Sequence, residues 1–545
     1  MMKKHILWLG TVAAALCVYA CGGSDEVAAT TYVAARDTVA ITGGTVAAAD
    51  ASSATLRVFK GLPFAAPPVG TLRWKAPQPV ASWAGIRRAD SFSAACMMGS
   101  RPVGKPGSIL YQDTEAQSED CLYLNVWTGA AAGGTEKRPV MMLLYGGGYQ
   151  LGSGAQPNYD GSGLAGKGPV VVTMNYRLGP LGFLAHPGLS AESSTASSGN
   201  YALMDAIAAL QWIKANIAAF GGDPTNVTLY SESAGAGLAN VLLASPQAAG
   251  LFHKAVIESL GSMPAGAPNT TLAQAEAAGV TFATNLGATT VADLRAKSAS
   301  DIMAGTGSVG GPIVDGTVLP DQLDLMFANH KVNDVPLLLG WNADEGTPYP
   351  AFATTVAGYT AAANAKYGTY ASQFMQVYPV NTDADVQAMA YQPMRDNTFA
   401  WQVWTIARAH VAQGKSKTFL YHFTRHPSYY ADQHFTEQDP PSKYGAYHSL
   451  EQVYFYNNLD RSAPPRPYND TDRQIASIAS SYLVNFATTG NPNGTGLPTW
   501  PEFVSAGSQA MYIGDTMAPG DVPFRPALNF YDTFYTQALG RPLPF

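Results

Sequence analysis

The sequence predicts an α/β fold: a large, mostly parallel central sheet with helices on both faces and helical insertions around one end. Three observations lead there. Short apolar runs recur at 140–144, 170–174, 226–230, 255–257, 335–339 and 418–421, and near-continuous apolar strands are those buried on both faces of a parallel or mixed sheet. Between them lie helix-like stretches such as 202–219, where Leu203, Ile207, Leu210, Ile213 and Ile217 recur at helical spacing. Hydrophobic residues make up 47% and charged residues 13%, enough apolar material for a large core and too little charge for a disordered chain.

A length of 545 residues would by itself suggest three or four ordinary domains. No repeat, charge run or low-complexity linker divides the chain after about residue 38, so residues 39–545 read as one α/β domain, with helical insertions between about 265 and 410. A net charge of −7 argues against nucleic-acid partners, which reward basic surfaces.

The first 20 residues read as an export signal: Lys3 and Lys4 precede an apolar run over 6–20 that is too short for a comfortable membrane span. The run ends in Val18-Tyr19-Ala20-Cys21-Gly22-Gly23-Ser24, which resembles a bacterial lipoprotein cleavage site with Cys21 as the lipidated residue. Residues 21–38 then form a tether, and the protein is expected at the cell envelope, or periplasmic or secreted if the cut is an ordinary one. Cys17 leaves with the signal and Cys21 carries lipid. Cys96 and Cys121 remain as an even pair in an oxidising compartment and are expected to form a disulfide. Closing their 24 intervening residues is worth roughly 3 kcal/mol in the chain-entropy model.

The sharpest chemical signal is Ser231-Glu232-Ser233-Ala234-Gly235, which follows an expected strand and leads into an Ala/Leu-rich helix. That is the setting of a nucleophile elbow, a tight strand-to-helix turn that lifts a serine oxygen above the sheet. The positions two before and two after the serine must be small, because the turn presses them against neighbouring backbone. The first of them is Ser231 rather than the usual glycine. The helix start also offers the Ala234 N–H to a developing oxyanion.

Upstream, Tyr145-Gly146-Gly147-Gly148-Tyr149 follows another apolar run, and its glycines allow backbone N–H groups to converge on one oxygen, with Gly147 and Gly148 as donors. The rival reading, a phosphate-cradling loop, lacks the Gly-Lys-Ser/Thr that such loops need. A serine hydroxyl further requires a base, and the base an orienting acid later in the chain. That order discards His186 and leaves His253, His330, His410, His422, His426, His434 and His448. His410 falls in a helix and His422 in a strand, where structural histidines are ordinary. His448, His426 and His434 remain open. For the acid, Asp344 and Glu345 both lie just past a strand end, where open α/β sheets collect function, and physics alone does not choose between them. No H-E-x-x-H, C-x-x-C or EF-hand loop occurs, and no metal or organic cofactor is expected.

These segments together resemble the type-B carboxylesterase family, which builds on the α/β-hydrolase fold. The likeness runs from about Gly61 to Phe503. It includes Gly61-Leu62-Pro63-Phe64, Ser118-Glu119-Asp120-Cys121-Leu122, Asn175-Tyr176-Arg177-Leu178-Gly179, Phe220-Gly221-Gly222-Asp223-Pro224, Asp344-Glu345-Gly346, Gly445-Ala446-Tyr447-His448 with Glu451, and Gly490-Asn491-Pro492. The resemblance implies a serine carboxylesterase acting on small-molecule esters. It makes Ser233 the nucleophile, Glu345 the acid and His448 the base, with Gly147, Gly148 and Ala234 as the oxyanion hole, and it supports the Cys96–Cys121 pairing. Acyl transfer to an alcohol would use the same residues, whereas non-catalytic binding modules on this scaffold lack part of the triad. Cholinesterase-like specificity is disfavoured, because residues 97–120 contain no Trp to stack on a cationic choline. Arg101 and Lys105 in that loop read as solvated surface charge. The acyl and alcohol pockets are expected from the inserted segments between about 265 and 410.

Overall fold

A computed structural model describes residues 37–545 apart from 51, 54, 100–105, 112–114 and 308. The export signal, Cys21 and nearly all of the tether lie outside the described residues, as do Arg101 and Lys105.

Ten strands form the central sheet: β1 (Arg57–Pro63), β2 (Tyr123–Thr128), β3 (Arg138–Leu144), β4 (Val170–Met174), β5 (Gly222–Glu232), β6 (Lys254–Glu258), β7 (Leu337–Asn342), β8 (Thr418–Phe423), β9 (Gln509–Ile513) and β10 (Ala518–Asp521). Their spatial order is β10-β9-β8-β7-β6-β5-β3-β4-β2-β1. The seven strands from β9 to β4 run parallel; β1, β2 and β10 join antiparallel at the two edges. A separate small sheet pairs Thr38–Ile41, Gly44–Ala47 and Ile86–Arg88.

All six expected apolar runs are strands, and each is buried throughout its apolar part. The run expected at 335–339 sits two residues later, as Leu337–Asn342. The helix expected over 202–219 is Tyr201–Asn216, closed by a 3₁₀ turn over Ile217–Phe220 that ends on Gly221 in the left-handed region. The strands β1, β2, β9 and β10, at or next to the two edges, escaped the sequence reading because their chemistry is mixed. In β2, buried Asn125 interrupts the apolar pattern, but its side chain is spent inside the sheet. The Oδ1 atom accepts the Gly61 N–H at 2.9 Å, where the β1–β2 register shifts, and Nδ2 donates to Thr173 Oγ1 at 2.9 Å. A polar residue so satisfied costs the sheet little.

Between residues 265 and 410 the chain is mainly helical, as expected, with β7 threaded through it. Cys96 and Cys121 are bonded, with Cα atoms 5.0 Å apart. Among the described residues no helix is long and apolar enough to cross a membrane.

Candidate active site

The strand β5 ends at Glu232, and the helix α1 (Ala234–Ala244) begins one residue after Ser233. Between them Ser233 takes φ 52° and ψ −126°, a strained conformation for a residue with a side chain. The strain is held by the Ser233 N–H, which donates to Glu258 O at the end of β6 at 2.9 Å. The two small positions around the turn face different demands. At Gly235 a Cβ would stand 1.9 Å from Leu144 O, so only glycine fits. At Ser231 there is room for a hydroxymethyl group, and its fully buried hydroxyl donates to Val256 O at 2.6 Å. The departure from glycine at this position is therefore accommodated by a hydrogen bond.

Three sequence-predicted side chains meet above this turn. His448 Nε2 lies 2.9 Å from Ser233 Oγ, and His448 Nδ1 lies 2.5 Å from Glu345 Oε2. All three are buried. Glu345 Oε1 accepts the Asn342 N–H at 2.8 Å and the Ser259 hydroxyl. The choices left open by the residues alone separate cleanly. Asp344 turns away from the serine, accepts the Ala446 N–H at 2.9 Å and pairs with His426 at 3.1 Å. Gly445, at φ 59°, lets that aspartate approach, since a Cβ there would stand 2.2 Å from Asp344 Oδ2. His434 is exposed beside Asp439. His410 and His422 sit in a helix and in β8, and burial pushes both away from the charged form.

Gly147 and Gly148, at φ 108° and 60°, follow β3 and face the same hydroxyl across one cavity. Among the described residues neither N–H is spent on a backbone carbonyl, whereas Gly147 O accepts the Gln150 and Leu151 N–H groups that close the turn. Gly146 must be bare too, because a Cβ there would stand 2.8 Å from Ser233 Cβ. Ala234 contributes the first N–H of α1, at its positive end.

Six further residues shape the site and were given no role from sequence. Glu232 lies 3.3 Å from His448 Nε2 and accepts the Ser449 hydroxyl; burial pushes its carboxyl up to about 7. Ser259, at φ 53°, stands between Glu345 and Glu451, and Asn342 donates its side-chain amide to Glu451. Burial pushes Glu345 and Glu451 both upward, with repulsion from Asp344 adding to it at Glu345 and repulsion from Glu345 adding to it at Glu451. Glu345 is the one favoured as the anion, because it alone faces the imidazole N–H. Phe399, carried on the π-helical segment Arg395–Ala400, packs its ring 4.5 Å from the imidazole. Adjacency to Ser233 and to His448 was the available signal for Glu232 and Glu451. Nothing in the sequence marks Ser259, whose role depends on where β6 ends.

The hydroxyl of Ser233 opens into a cavity of about 290 Å³. Its described walls come from the disulfide-closed loop (Met98, Ile109, Leu110, Tyr111, Gln117), from residues 146–159, and from Tyr447, Ser449 and Ala463. The inserted region 265–410 contributes Tyr349 alone among the described lining residues, so the expectation that this region builds the pocket is corrected. Its helices instead pack on the sheet and back the imidazole.

A profile of the Carboxylesterase family matches residues 33–531. The chain is 37% identical to the fumonisin B1 esterase of Sphingopyxis macrogoltabida, over 86% of this chain and 85% of that one. It is 33% identical to the para-nitrobenzyl esterase of Bacillus subtilis (strain 168), over 82% and 88%. Among solved structures, PNB esterase superposes with a TM-score of 0.72 at 30% identity, covering 90% of this chain and 99% of that one. The architecture is thus the α/β-hydrolase fold, and the chain belongs to the carboxylesterase family, a carboxylic ester hydrolase.

Proposed function

We propose that the protein is an exported serine carboxylesterase in which Ser233, His448 and Glu345 form the catalytic triad. The observation that carries this reading is the unbroken line from Ser233 Oγ through both imidazole nitrogens to Glu345. With Nδ1–H donating to Glu345, Nε2 is left as the acceptor for the serine proton. Ser233 Oγ then attacks the ester carbonyl, and the tetrahedral oxyanion rests on the Gly147, Gly148 and Ala234 N–H groups. Each such donor is typically worth about 2.7–4 kcal/mol of transition-state stabilisation. The imidazolium gives its proton to the departing alcohol, and the acyl group stays on Ser233 until water, activated by the same imidazole, releases it as the acid.

The polar walls of the cavity, with Gln117, Gln156 and Asn158 beside four tyrosines, support an ester that carries polar groups beyond the scissile bond. Ser233→Ala tests the assignment: ester turnover should fall by about 10⁴-fold or more while the melting temperature stays at the parental value. Near-parental turnover in that variant would end it. The export signal and lipid attachment at Cys21 belong to the same proposal and are supported by the sequence of residues 1–24. In a bacterial host the parental protein should fractionate with membranes, and Cys21→Ser should release it; a soluble parental protein would remove the anchor.

A further inference from the structure

We propose that Phe399 is a positioning residue for the base: its ring keeps the His448 imidazole on the Ser233–Glu345 line after the imidazole has taken the serine proton, so that this proton reaches the departing alcohol. The proposal rests on the triad reading and deepens it.

Once protonated, His448 carries a proton on each nitrogen, and both have to stay in place. On the Nδ1 side Glu345 Oε2 lies 2.5 Å away. Among the described residues two oxygens stand near Nε2, Ser233 Oγ at 2.9 Å and Glu232 Oε1 at 3.3 Å. The Glu232 oxygen is itself fixed by the Ser449 hydroxyl. Before the reaction Nε2 accepts from the serine. After proton transfer Nε2–H is a donor, Ser233 Oγ is bonded to the acyl carbon, and Glu232 becomes a competing acceptor. The hydrogen bond to Glu345 holds one end of the ring and lets the other end swing. A small turn toward Glu232 would take the proton off the path to the leaving group.

Phe399 supplies the restraint. Its ring centroid stands 4.5 Å from that of the imidazole, with the planes inclined by 35°, closer to stacked than to edge-on. Tyr349 approaches the imidazole at 5.6 Å, and the two aromatic rings lie 5.7 Å apart. His448 and Phe399 are both buried, so a turn of the imidazole has to displace packed atoms. An aromatic face also favours a cation that forms against it, which suits the imidazolium.

The backbone ties this ring to the acid. Phe399 lies in the π-helical segment Arg395–Ala400, set between the helical stretches Gln392–Met394 and Trp401–Gln413. A π turn admits an extra residue within a helix, and such turns are frequent at functional sites. Here Arg395 pairs with Asp396 at 2.6 Å, and Asp396 accepts the Tyr378 hydroxyl at 2.8 Å. Arg395 Nη1 also donates to Ala343 O at 3.3 Å, one residue before Asp344 and Glu345. The segment that packs on the base is thereby registered to the loop that carries the acid.

The test compares two esters of one acid, one of a nitrophenol and one of a simple alkanol. A nitrophenolate departs without being protonated, whereas an alkoxide needs the proton on Nε2. The readout is the ratio of kcat/KM for the nitrophenyl ester over the alkyl ester, which does not depend on how much of a preparation is folded. Phe399→Leu and Phe399→Met fill the space without an aromatic face. Each should raise that ratio about tenfold, part of what a well-placed general acid contributes, with the larger loss on the alkyl ester. Phe399→Tyr should keep it near the parental value. A ring that merely fills space would change both esters alike. An unchanged ratio in the Leu and Met variants, or a Tyr variant with the Leu ratio, overturns the proposal. Failure of the triad itself reads differently, because Ser233→Ala would then hydrolyse both esters at near-parental rates.

Discussion

The rim of the sheet and the wall of the cavity lie within a few ångströms of each other but are held in place by different means. At the rim, backbone groups lock one strand end to the next: Ser233 N–H to Glu258 O, Ser259 N–H to Gly340 O, Ala343 N–H to Phe423 O and Asp344 N–H to Ala446 O, all within 2.9–3.0 Å. These bonds set where the hydroxyl, the carboxylate and the imidazole stand, and they depend little on which side chains surround them. The wall is assembled from a disulfide-closed loop, a glycine-rich turn and the segment after His448, and its character comes from side chains such as Tyr111, Asn158 and Tyr447. On the proposed function, chemistry belongs to the rim and choice of substrate to the wall. Substitutions at the first should abolish turnover of every ester alike, while those at the second should redistribute it among esters.

The sharpest way to break this division is a pair of neighbouring acids. Glu345→Gln should lower kcat by about 10⁴-fold, since an amide cannot hold the imidazole in the required tautomer. Asp344→Asn should cost less than about tenfold, because that residue steadies the loop through Ala446 and His426 and never touches His448. Steady-state kinetics on one chromogenic ester decides it, and equal losses would dissolve the distinction. Next in size are the two small positions of the elbow. Gly235→Ala should destabilise the fold by about 3 kcal/mol or more, as a methyl group would collide with Leu144 O. Ser231→Gly should cost about 1 kcal/mol, the value of one buried hydrogen bond. Thermal unfolding of both variants measures the difference.

On the wall side, replacing both Cys96 and Cys121 by Ala should lower stability by roughly 3 kcal/mol. Because the loop they close lines the cavity, KM should rise more than kcat falls, and a pure kcat effect would count against the division. The smallest expected effect concerns pH. Glu232 is held up at about 7 by burial against an ordinary value of 4.5. Between those values the unfolded chain loses this proton while the folded chain keeps it. Its contribution to stability is therefore full below about pH 4.5, falls as the pH rises and is lost above about 7. Glu232→Gln should flatten that part of the stability profile, measured by denaturant unfolding at pH 5 and pH 8.

The same division explains what could be read in the sequence. Six of the seven parallel strands announced themselves as apolar runs because both faces are covered; β9, only partly buried, did not. The elbow and the glycine loop were visible because backbone geometry restricts residue type at Gly235 and Gly147. Asp344 and Glu345 were indistinguishable as letters; they differ in the direction each side chain takes after β7, which depends on His426 and Ala446 a hundred positions on. The wall was misread for a related reason. Its residues are ordinary Tyr, Gln and Asn without spacing or periodicity, and they come together from separate stretches of the chain, from Tyr111 and Gln117 to Gln156, Asn158, Tyr349 and Tyr447. The strand carrying Asn125, next to the edge, was missed because a satisfied buried amide looks polar in sequence and behaves as packing in the sheet.

The most direct test of the account is stoichiometric labelling with a fluorophosphonate, followed by peptide mass mapping. The account predicts one adduct per chain, on Ser233, formed at a rate that collapses in His448→Ala. An adduct on Ser231 or Ser259, or an actively hydrolysing enzyme that takes no label, would contradict it.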